Sequence, residues 1–303
     1  MRPPVRLSRR ALLAAGGSAL ISMAVAGRAI VAIPASATFD LRAPGGRIVT
    51  VSEWRPRRRA KGVILFSHGA ASSPSFYTAI IAPMAAAGYR VLAPLHVDST
   101  AHPRTREFPG LASWKARLED MAALIAYIGD TPYVAVGHSY GGLIALTLGG
   151  AAAVPPDGWQ GPLTPRRARA VVALSPPAPV PVLCTQEGYA AMAVPALVQT
   201  GTKDIVPGMG SQAQDGWVGH LVPFSAPPPR GNLYGMLLEG VDHYFGGLIC
   251  RYDRPGPPQT AQLEQANRIV GLFLDGFGHD AGTGARSIDA ALSDDLPVRL
   301  TRR

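Results

Sequence analysis

Short apolar runs alternate along the chain with longer segments in which apolar residues recur at helical spacing. Runs of about four to eight apolar residues that end at Gly, Pro or Asp are typical of buried strands, whereas apolar residues at every third or fourth position are typical of amphipathic helices. The pattern predicts strands over residues 48–54, 63–66, 89–94, 133–136, 168–174, 194–201 and 232–238, and helices over residues 76–87, 114–128, 142–146 and 260–273.

This alternation is the order of an α/β domain with a mostly parallel central sheet and helices on both faces. The segment between the predicted strands 168–174 and 194–201, residues 175–193, is too short for a large cap domain. The last residues are polar and contain several glycines. We therefore predict one folded domain over residues 38–277, and a loosely packed C-terminal tail over residues 278–303.

Residues 1–37 have the composition of an export signal. Ser8-Arg9-Arg10 precedes an apolar stretch over residues 11–26, and Ala35-Ser36-Ala37 is a signal-peptidase type of cleavage site. The segment resembles a bacterial twin-arginine signal, which implies a periplasmic or secreted protein that is cut after Ala37. An uncut membrane anchor is the alternative, but the stretch is shorter than the roughly 20 residues that a spanning helix needs.

The charge of the chain gives no indication of a nucleic-acid partner. Residues 1–37 carry five of the 29 basic residues and none of the 20 acidic ones, which leaves a net charge of +4 on the remainder. A dense basic cluster, residues 55–61, lies between two predicted strands and is interpreted as a solvated turn. Once the signal is removed, we expect no stable membrane insertion.

Gly137-His138-Ser139-Tyr140-Gly141 carries the clearest chemical signal in the chain, because a strand is predicted before it and a helix after it. In that context G-x-S-x-G predicts a sharp strand-to-helix turn with the serine at its tip. The flanking glycines leave room for the turn, and the first N–H groups of the helix point to where negative charge develops during acyl transfer. The pattern predicts Ser139 as a nucleophile, with a Gly/Ser-rich surface turn as the alternative.

A serine nucleophile needs a base and a group that holds the base, in the order serine, acid, histidine in this context. Asp204 and His243 each follow a predicted strand, at the sheet edge where α/β proteins bind ligands. Asp242 is a rival acid, but adjacent side chains usually point apart. The other histidines fit less well by order or position: His96, His102, His138, His220 and His279.

The oxyanion that forms during acyl transfer needs two N–H donors. The backbone of Tyr140 is the first candidate, because it follows the nucleophile. The loop Ser67-His68-Gly69-Ala70 follows the 63–66 strand and predicts Ala70 as the second donor, with Ala71 as the alternative by one residue. His68 is expected to stabilise this loop by hydrogen bonding rather than to act as a base.

These motifs together resemble those of serine-nucleophile α/β-hydrolases, in the esterase, lipase and dienelactone-hydrolase-like group. The resemblance extends over nearly all of the chain after residue 37 and implies the α/β-hydrolase fold with a Ser-His-Asp triad. It is weak for the substrate, because the fold supports many acyl-transfer reactions. Polyester hydrolases of this group usually carry an aromatic residue where this chain has Ala70, which argues against a polyester substrate.

Further site residues are predicted from their position beside the triad. Ala71, His138, Tyr244 and Phe245 are candidates to line the substrate pocket, with packing in the core as the alternative for the two aromatic residues. Cys184 and Cys250 are predicted near one edge of the sheet, where either a disulfide or two buried thiols would be consistent with export. No metal or cofactor motif is present.

The predicted function is therefore hydrolysis of a small-molecule carboxylic ester by an exported serine hydrolase without a cofactor. A lactone, an amide or a carbon–carbon bond is an alternative target, because the same triad serves all of them. A non-catalytic binding protein on a hydrolase fold is a further alternative, which the three filled triad positions disfavour. The acyl chain length and the oligomeric state are left open by the sequence.

Overall fold

A computed structural model of the protein describes residues 34–163, 167–206, 213–254 and 256–303. The arginine pair and the apolar stretch of the predicted export signal lie outside these residues. Within the described part of the chain, no helix is both long enough and apolar enough to cross a membrane.

One sheet of nine strands organises the described chain, in the order β1-β2-β4-β3-β5-β6-β7-β8-β9. The six strands from β4 to β8 in this order run parallel, and the remaining pairs are antiparallel. The strands are β1 (Ala37–Arg42), β2 (Ile48–Trp54), β3 (Gly62–Ser67), β4 (Tyr89–Pro94), β5 (Tyr133–His138), β6 (Ala168–Leu174), β7 (Ala196–Lys203), β8 (Leu233–Asp242) and β9 (Val298–Arg302).

Helices cover both faces of the sheet, because successive side chains of a buried strand point to opposite faces and each face needs an apolar cover. Ile64 and Phe66 of β3 pack in one core cluster, whereas Val63 and Leu65 pack in the other. The α-helices are α1 (Thr78–Ala86), α2 (Trp114–Ile128), α3 (Tyr140–Leu148), α4 (Gln186–Ala190), α5 (Val222–Ser225), α6 (Thr260–Phe277) and α7 (Arg286–Asp289), with 3₁₀ helices at Pro74–Tyr77, Thr105–Glu107, Gly110–Ser113 and Gly216–Leu221.

The predicted mostly parallel α/β fold with no large cap is confirmed, and several predicted elements agree in their bounds. Strands β2, β4 and β6 and helix α2 begin and end at the predicted residues. Helices α1 and α3 and strands β7 and β8 agree within a few residues, whereas β1, β9 and the short helices α4, α5 and α7 were not predicted. Strongly apolar, regularly spaced segments were therefore predicted best.

The prediction of a loosely packed tail over residues 278–303 is wrong. Helix α7 packs on α6, and β9 extends the sheet by pairing with β8 in a regular antiparallel ladder from Tyr234 to Leu238. Ile288 and Leu300 are buried in the core. An edge strand has a polar exposed face, so its short sequence resembles that of a tail.

The predicted domain start after Ala37 also needs correction. Ala37 pairs with Glu53, the Ser36 N–H donates to the Glu53 carbonyl at 2.7 Å, and the Ser36 hydroxyl accepts from the Arg55 N–H at 3.1 Å. These bonds belong to the β1–β2 ladder and its extension. The folded domain therefore includes Ser36 and Ala37, and a cut after Ala37 would fall inside β1.

Replacement of Leu300 by alanine tests the corrected position of the C-terminal segment. Leu300 is 1% exposed, so Leu300→Ala is expected to lower the free energy of unfolding by about 2–5 kcal/mol through lost burial and the cavity that remains. Leu292→Ala is the matched control, since Leu292 is 41% exposed and should cost less than about 1 kcal/mol. Urea unfolding measures both values, and equal costs would mean that residues 298–302 are not part of the folded sheet.

Candidate active site

Ser139 lies at a sharp turn between β5 and α3 and has a left-handed backbone, with φ at 55°. A non-glycine residue in this region is strained, and such strain concentrates at functional sites. The turn is possible because Gly137 and Gly141 have no side chain: a Cβ on Gly137 would lie 2.0 Å from the Gly141 carbonyl oxygen. The backbone thus holds Ser139, which is partly exposed, at the tip of the turn.

Asp204 and His243 come together although 39 positions separate them in the sequence. The His243 Nδ1 lies 2.7 Å from the Asp204 Oδ1, and both residues are buried. Strands β7 and β8 are parallel neighbours, so the loops after them, which carry these residues, meet at one edge of the sheet. Asp242, the rival acid, instead accepts hydrogen bonds from the backbone N–H groups of Tyr244 and Gly246.

The pairing with Asp204 determines which nitrogen of His243 is available. A carboxylate can only accept, so we assign the proton of the neutral imidazole to Nδ1, which leaves a lone pair on Nε2. Burial raises the pKa of Asp204, but the positive charge that His243 carries when it is protonated and the hydrogen bond between the two residues outweigh burial and hold that pKa well below its usual range. Asp204 therefore stays charged at neutral pH and can stabilise a protonated His243.

His138 does not line the pocket, and this part of the site prediction is wrong. It is fully buried, its Nε2 lies 2.9 Å from the His243 carbonyl oxygen, and its Nδ1 lies 2.8 Å from the Tyr77 hydroxyl. Since a carbonyl only accepts, Nε2 carries the proton, and the Tyr77 hydroxyl donates to Nδ1. That hydroxyl in turn accepts from the Gly69 N–H at 2.9 Å. His138 thus connects the nucleophile turn, the histidine loop and the loop after β3.

The loop after β3 lies beside the nucleophile turn, because Ser67 of β3 pairs with Gly137 of β5. Ala70 is exposed, whereas the Ala71 N–H already donates to the Asp98 carboxylate at 3.3 Å. This occupied donor favours Ala70 over Ala71 as the free N–H of the loop. The Tyr140 N–H, in the first turn of α3, is the other predicted donor, and such N–H groups have no partner within their own helix.

His68 stabilises the loop after β3 through hydrogen bonds of its buried side chain. It is fully buried, its Nε2 accepts from the His96 N–H at 3.0 Å, and its Nδ1 lies 2.7 Å from the Gly69 carbonyl oxygen. Burial lowers the pKa of His68 well below its usual value, and both of its ring nitrogens are already hydrogen-bonded, so it has no free lone pair with which to act as a base for the site. This geometry agrees with the loop-stabilising role that the sequence indicated.

His220 is a site residue that the sequence analysis set aside. It lies in the 3₁₀ helix Gly216–Leu221, which packs on β7, and its Nε2 is 3.4 Å from the Asp204 Oδ1. Its Nδ1 donates to the Pro176 carbonyl at 2.6 Å. The histidine has no motif around it that marks a role, and only the packing of its helix brings it to Asp204.

Asp204, His220 and His243 place one ligand atom each within 4.8 Å of the others, a spacing that could also suit a metal ion. The 2.7 Å between Asp204 and His243 is a hydrogen-bond distance, and His220 is oriented by its bond to Pro176. We therefore interpret the group as a hydrogen-bonded pair of Asp204 and His243, with the His220 ring beside the same carboxylate.

The two aromatic residues after His243 have different environments. Phe245 is fully buried in the core, so its predicted role in the pocket is wrong. Tyr244 is half-buried, contacts the His243 ring edge to face at 5.1 Å and lies under the Arg254 guanidinium at 4.7 Å. Ala71, in the loop after β3, has a left-handed backbone with φ at 56°, as Ser139 does.

Of the two alternatives for the cysteines, the disulfide is not formed, and Cys184 and Cys250 are both buried free thiols. They belong to the two different core clusters, Cys184 to the one that contains α2 and α3 and Cys250 to the one that contains α1 and α6. The sheet separates these clusters. Proximity to one edge of the sheet is therefore not sufficient to bring two cysteines together.

Ser139, Asp204 and His243 line one cavity of about 80 Å³. Apolar side chains form most of the remaining wall, with two polar groups among them. These further lining residues are Ser175, Pro177, Ala178, Pro179, Val180, Ile205, Val206, Gly216 and His220. The cavity thus offers an apolar surface next to a serine hydroxyl and a histidine.

A parallel sheet with a serine at a strand-to-helix turn, followed by an acid and a histidine after later strands, defines the class of α/β hydrolases. The chain matches the model of the alpha/beta hydrolase family over residues 64–291, and it belongs to this family.

Individual relatives are distant. The chain is 27% identical to the magnesium-chelatase 30 kDa subunit of Rhodobacter capsulatus over 257 residues, which cover 80% of this chain and 78% of that protein. Among solved structures it resembles a thermophilic esterase from Thermogutta terrifontis, with a TM-score of 0.58, 15% identity, and coverage of 80% of this chain and 94% of the other. The esterase domain of a Rhodothermus marinus protein gives a TM-score of 0.54 at 16% identity, with 80% and 98% covered. These structures share the fold.

Proposed function

We propose that this protein is an exported serine hydrolase that cleaves carboxylic esters through an acyl-enzyme intermediate. The observation that carries the proposal is the hydrogen bond between His243 and Asp204 in a cavity that Ser139 also lines. An activated serine needs this combination of a base and a charged group that holds it.

In the first step, the Ser139 Oγ attacks the ester carbonyl carbon while the His243 Nε2 takes its proton. The carbonyl oxygen becomes negative and is stabilised by the N–H groups of Tyr140 and Ala70. As the tetrahedral intermediate collapses, His243 gives the proton to the departing alcohol. Asp204 remains ionised throughout and stabilises the positively charged imidazole between the two proton transfers.

In the second step, water attacks the acyl-enzyme and gives its proton to His243. The carboxylic acid leaves and the serine hydroxyl is restored, so every proton taken by His243 is returned. This cycle needs neither a metal ion nor an organic cofactor. The same steps would open a lactone, whereas an amide requires protonation of a poorer leaving group.

The cavity indicates a short acyl group. About 80 Å³ corresponds to roughly six water-sized groups at about 10–15 Å³ each. Pro177, Ala178, Pro179 and Val180 form a wall that contains no charge and suits an alkyl chain. The structure of the Thermogutta terrifontis esterase, which shares this fold, was solved with propionate bound, and this supports the proposal of a small acyl group here.

A series of p-nitrophenyl esters from acetyl to palmitoyl tests this function with the full chain. We expect kcat/KM to be highest between acetyl and hexanoyl and to fall by at least about tenfold for palmitoyl, because the longer chain exceeds the cavity. A preference for palmitoyl would contradict the short-acyl assignment. Inactivity on every ester, in a folded protein, would contradict ester hydrolysis and favour a lactone, an amide or a carbon–carbon bond.

Export is part of the same proposal and depends on the arginine pair and apolar stretch of residues 8–26. The similarity to a magnesium-chelatase subunit suggests a second role for this fold, as a partner in an assembly, but the arrangement at Ser139 favours catalysis. A binding protein would have no need for a charged acid held against a histidine beside a strained serine.

A further inference from the structure

Arg117 of α2 is fully buried beneath the loop after β3, and each of its three side-chain nitrogens donates a hydrogen bond. Its Nη1 donates to the His68 carbonyl at 2.7 Å, and its Nη2 donates to the Gly69 carbonyl at 3.1 Å. A guanidinium is planar and rigid, so two such bonds determine the orientation of both peptide groups. These are the two peptide groups that immediately precede Ala70.

Asp98, in the loop after β4, completes this arrangement. It binds Arg117 through both carboxylate oxygens, at 2.8 Å each, and its Oδ2 also accepts from the Ala71 N–H at 3.3 Å. Burial raises the pKa of Asp98, but the Arg117 charge outweighs burial and lowers that pKa to about 2. Asp98 is therefore charged at neutral pH, and the pair contacts the loop on both sides of Ala70.

The hydrogen bonds to the Gly69 carbonyl oxygen determine the direction of the Ala70 N–H, which belongs to the same peptide group. In a trans peptide the carbonyl oxygen and the following N–H point in opposite directions. Because Arg117 and His68 both bind the Gly69 oxygen, the Ala70 N–H is turned away from Arg117. Rotation of this peptide would break both bonds and leave a buried N–H of Arg117 without its acceptor, which is costly even though Asp98 still neutralises the guanidinium.

Arg117 also contacts the residue that carries the other predicted oxyanion donor. Its guanidinium carbon lies 4.6 Å from the centre of the Tyr140 ring, and the Trp114 ring stacks with Tyr140 at 6.1 Å. A buried cation over an aromatic face attracts the ring electrostatically. One side chain of α2 thus contacts the backbone just before Ala70 and the side chain of Tyr140, the two residues whose N–H groups would stabilise an oxyanion.

We propose that Arg117 and Asp98 are positioning residues that preorganise the oxyanion hole by orienting the Ala70 and Tyr140 N–H groups. This inference rests on the proposed ester hydrolysis and names the residues that support its transition state. Neither residue touches the substrate. They act by keeping two donors aimed at the place where negative charge develops.

Three variants of the full chain test the proposal. Arg117→Met removes both hydrogen bonds that Arg117 donates to the loop. Asp98→Asn keeps an acceptor for the Ala71 N–H but removes the negative charge. Arg117→Lys keeps the positive charge but loses the planar arrangement of guanidinium donors. Loss of one oxyanion donor costs about 10²–10³ in kcat. We expect kcat to fall about 100-fold for Arg117→Met and about 10-fold for the other two, with KM changed less than about threefold.

A second readout separates orientation of the oxyanion hole from general loosening of the fold. Phenylboronic acid forms a tetrahedral adduct with an active serine, and one of its oxygens occupies the oxyanion position. Its inhibition constant, measured against p-nitrophenyl acetate, should rise by about the same factor by which kcat falls. Partial recovery in Arg117→Lys relative to Arg117→Met would support the orienting role.

Glu53→Gln provides the matched control. Glu53 is a 1% exposed carboxylate of β2 that binds Arg90 at 2.6 Å and Arg55 at 2.8 Å, and both partners lie on or next to β2 and β4 rather than in the loop after β3. Its loss should lower the melting temperature as much as Asp98→Asn does and leave kcat within twofold. Equal losses of kcat in Glu53→Gln and Asp98→Asn would overturn the proposal, as would an unchanged inhibition constant.

Failure of the proposed function and failure of the positioning role give different results. A folded wild-type protein without activity on any ester would contradict the proposed function and, with it, this role for Arg117. An active wild-type protein whose Asp98→Asn and Arg117→Lys variants keep full kcat would contradict the positioning role alone. If Arg117→Met does not fold, the two milder variants still decide between these outcomes.

Discussion

Ser139→Ala is expected to fold like the wild-type protein and to lose ester hydrolysis by several orders of magnitude. The serine hydroxyl forms the covalent intermediate in the proposed mechanism, and loss of one member of a catalytic triad can cost about 10⁶ in kcat. Alanine has the same Cβ as serine, so the left-handed backbone at φ 55° is no more strained in the variant. The melting temperature should therefore change little while kcat falls.

The measurement is p-nitrophenyl acetate hydrolysis by both proteins, with circular dichroism to compare their folding. Ser52→Ala, on β2, is the control for loss of a serine hydroxyl outside the site and should keep wild-type activity. Asp204→Asn should give a smaller but large loss, about 10⁴-fold, because the histidine loses its charged partner. Activity above about 1% of wild type in Ser139→Ala would show that a different group attacks the ester.

Gly141→Ala is expected to prevent stable folding or to lower the free energy of unfolding by more than about 4 kcal/mol. A Cβ at this position would lie 2.0 Å from the Ser67 carbonyl oxygen, which is far closer than any permitted contact. The Ser67 oxygen is a backbone atom at the junction of β3, β5 and α3, so it cannot turn aside as a flexible side chain could. The clash can be relieved only by moving α3 away from the sheet.

Gly271→Ala in α6 is the matched control, because a Cβ there meets nothing within 4 Å. In the interior of a helix, alanine is favoured over glycine by about 1 kcal/mol, so this variant should be slightly more stable than the wild type. Urea unfolding of the three proteins gives the comparison. A Gly141→Ala protein with a wild-type midpoint would contradict the close contact between α3 and β3.

The sequence predicted the elements best where the signal was local. The bounds of β4 and α2 follow from the spacing of apolar residues and from flanking glycines, which are read from neighbouring residues alone. The strand β9 was missed because an edge strand with one buried residue, Leu300, differs little from a polar tail. Its partner in the sheet, β8, is far away in sequence, and no local pattern indicates such a pairing.

The residues of the site show the same contrast between local sequence signals and long-range contacts. Ser139, Asp204 and His243 could be predicted because each follows a strand in a fixed order, whereas His220 and Arg117 have no motif. Hydropathy places a charged residue of α2 on the exposed face, yet Arg117 is fully buried. Its burial is tolerated because Asp98 neutralises its charge and two backbone carbonyls accept further hydrogen bonds, and no helical pattern reveals these partners.

By itself, the sequence determined the α/β architecture, the turn at Ser139 and the order of the three predicted triad residues, because spacing along the chain controls each of them. Only the tertiary structure decided which polar groups meet. His138 reaches the His243 carbonyl across 105 positions, and Arg117 reaches the His68 carbonyl across 49. Such contacts depend on how the strands are ordered and how the helices pack on them, and the free energy that selects them is a property of the whole folded core.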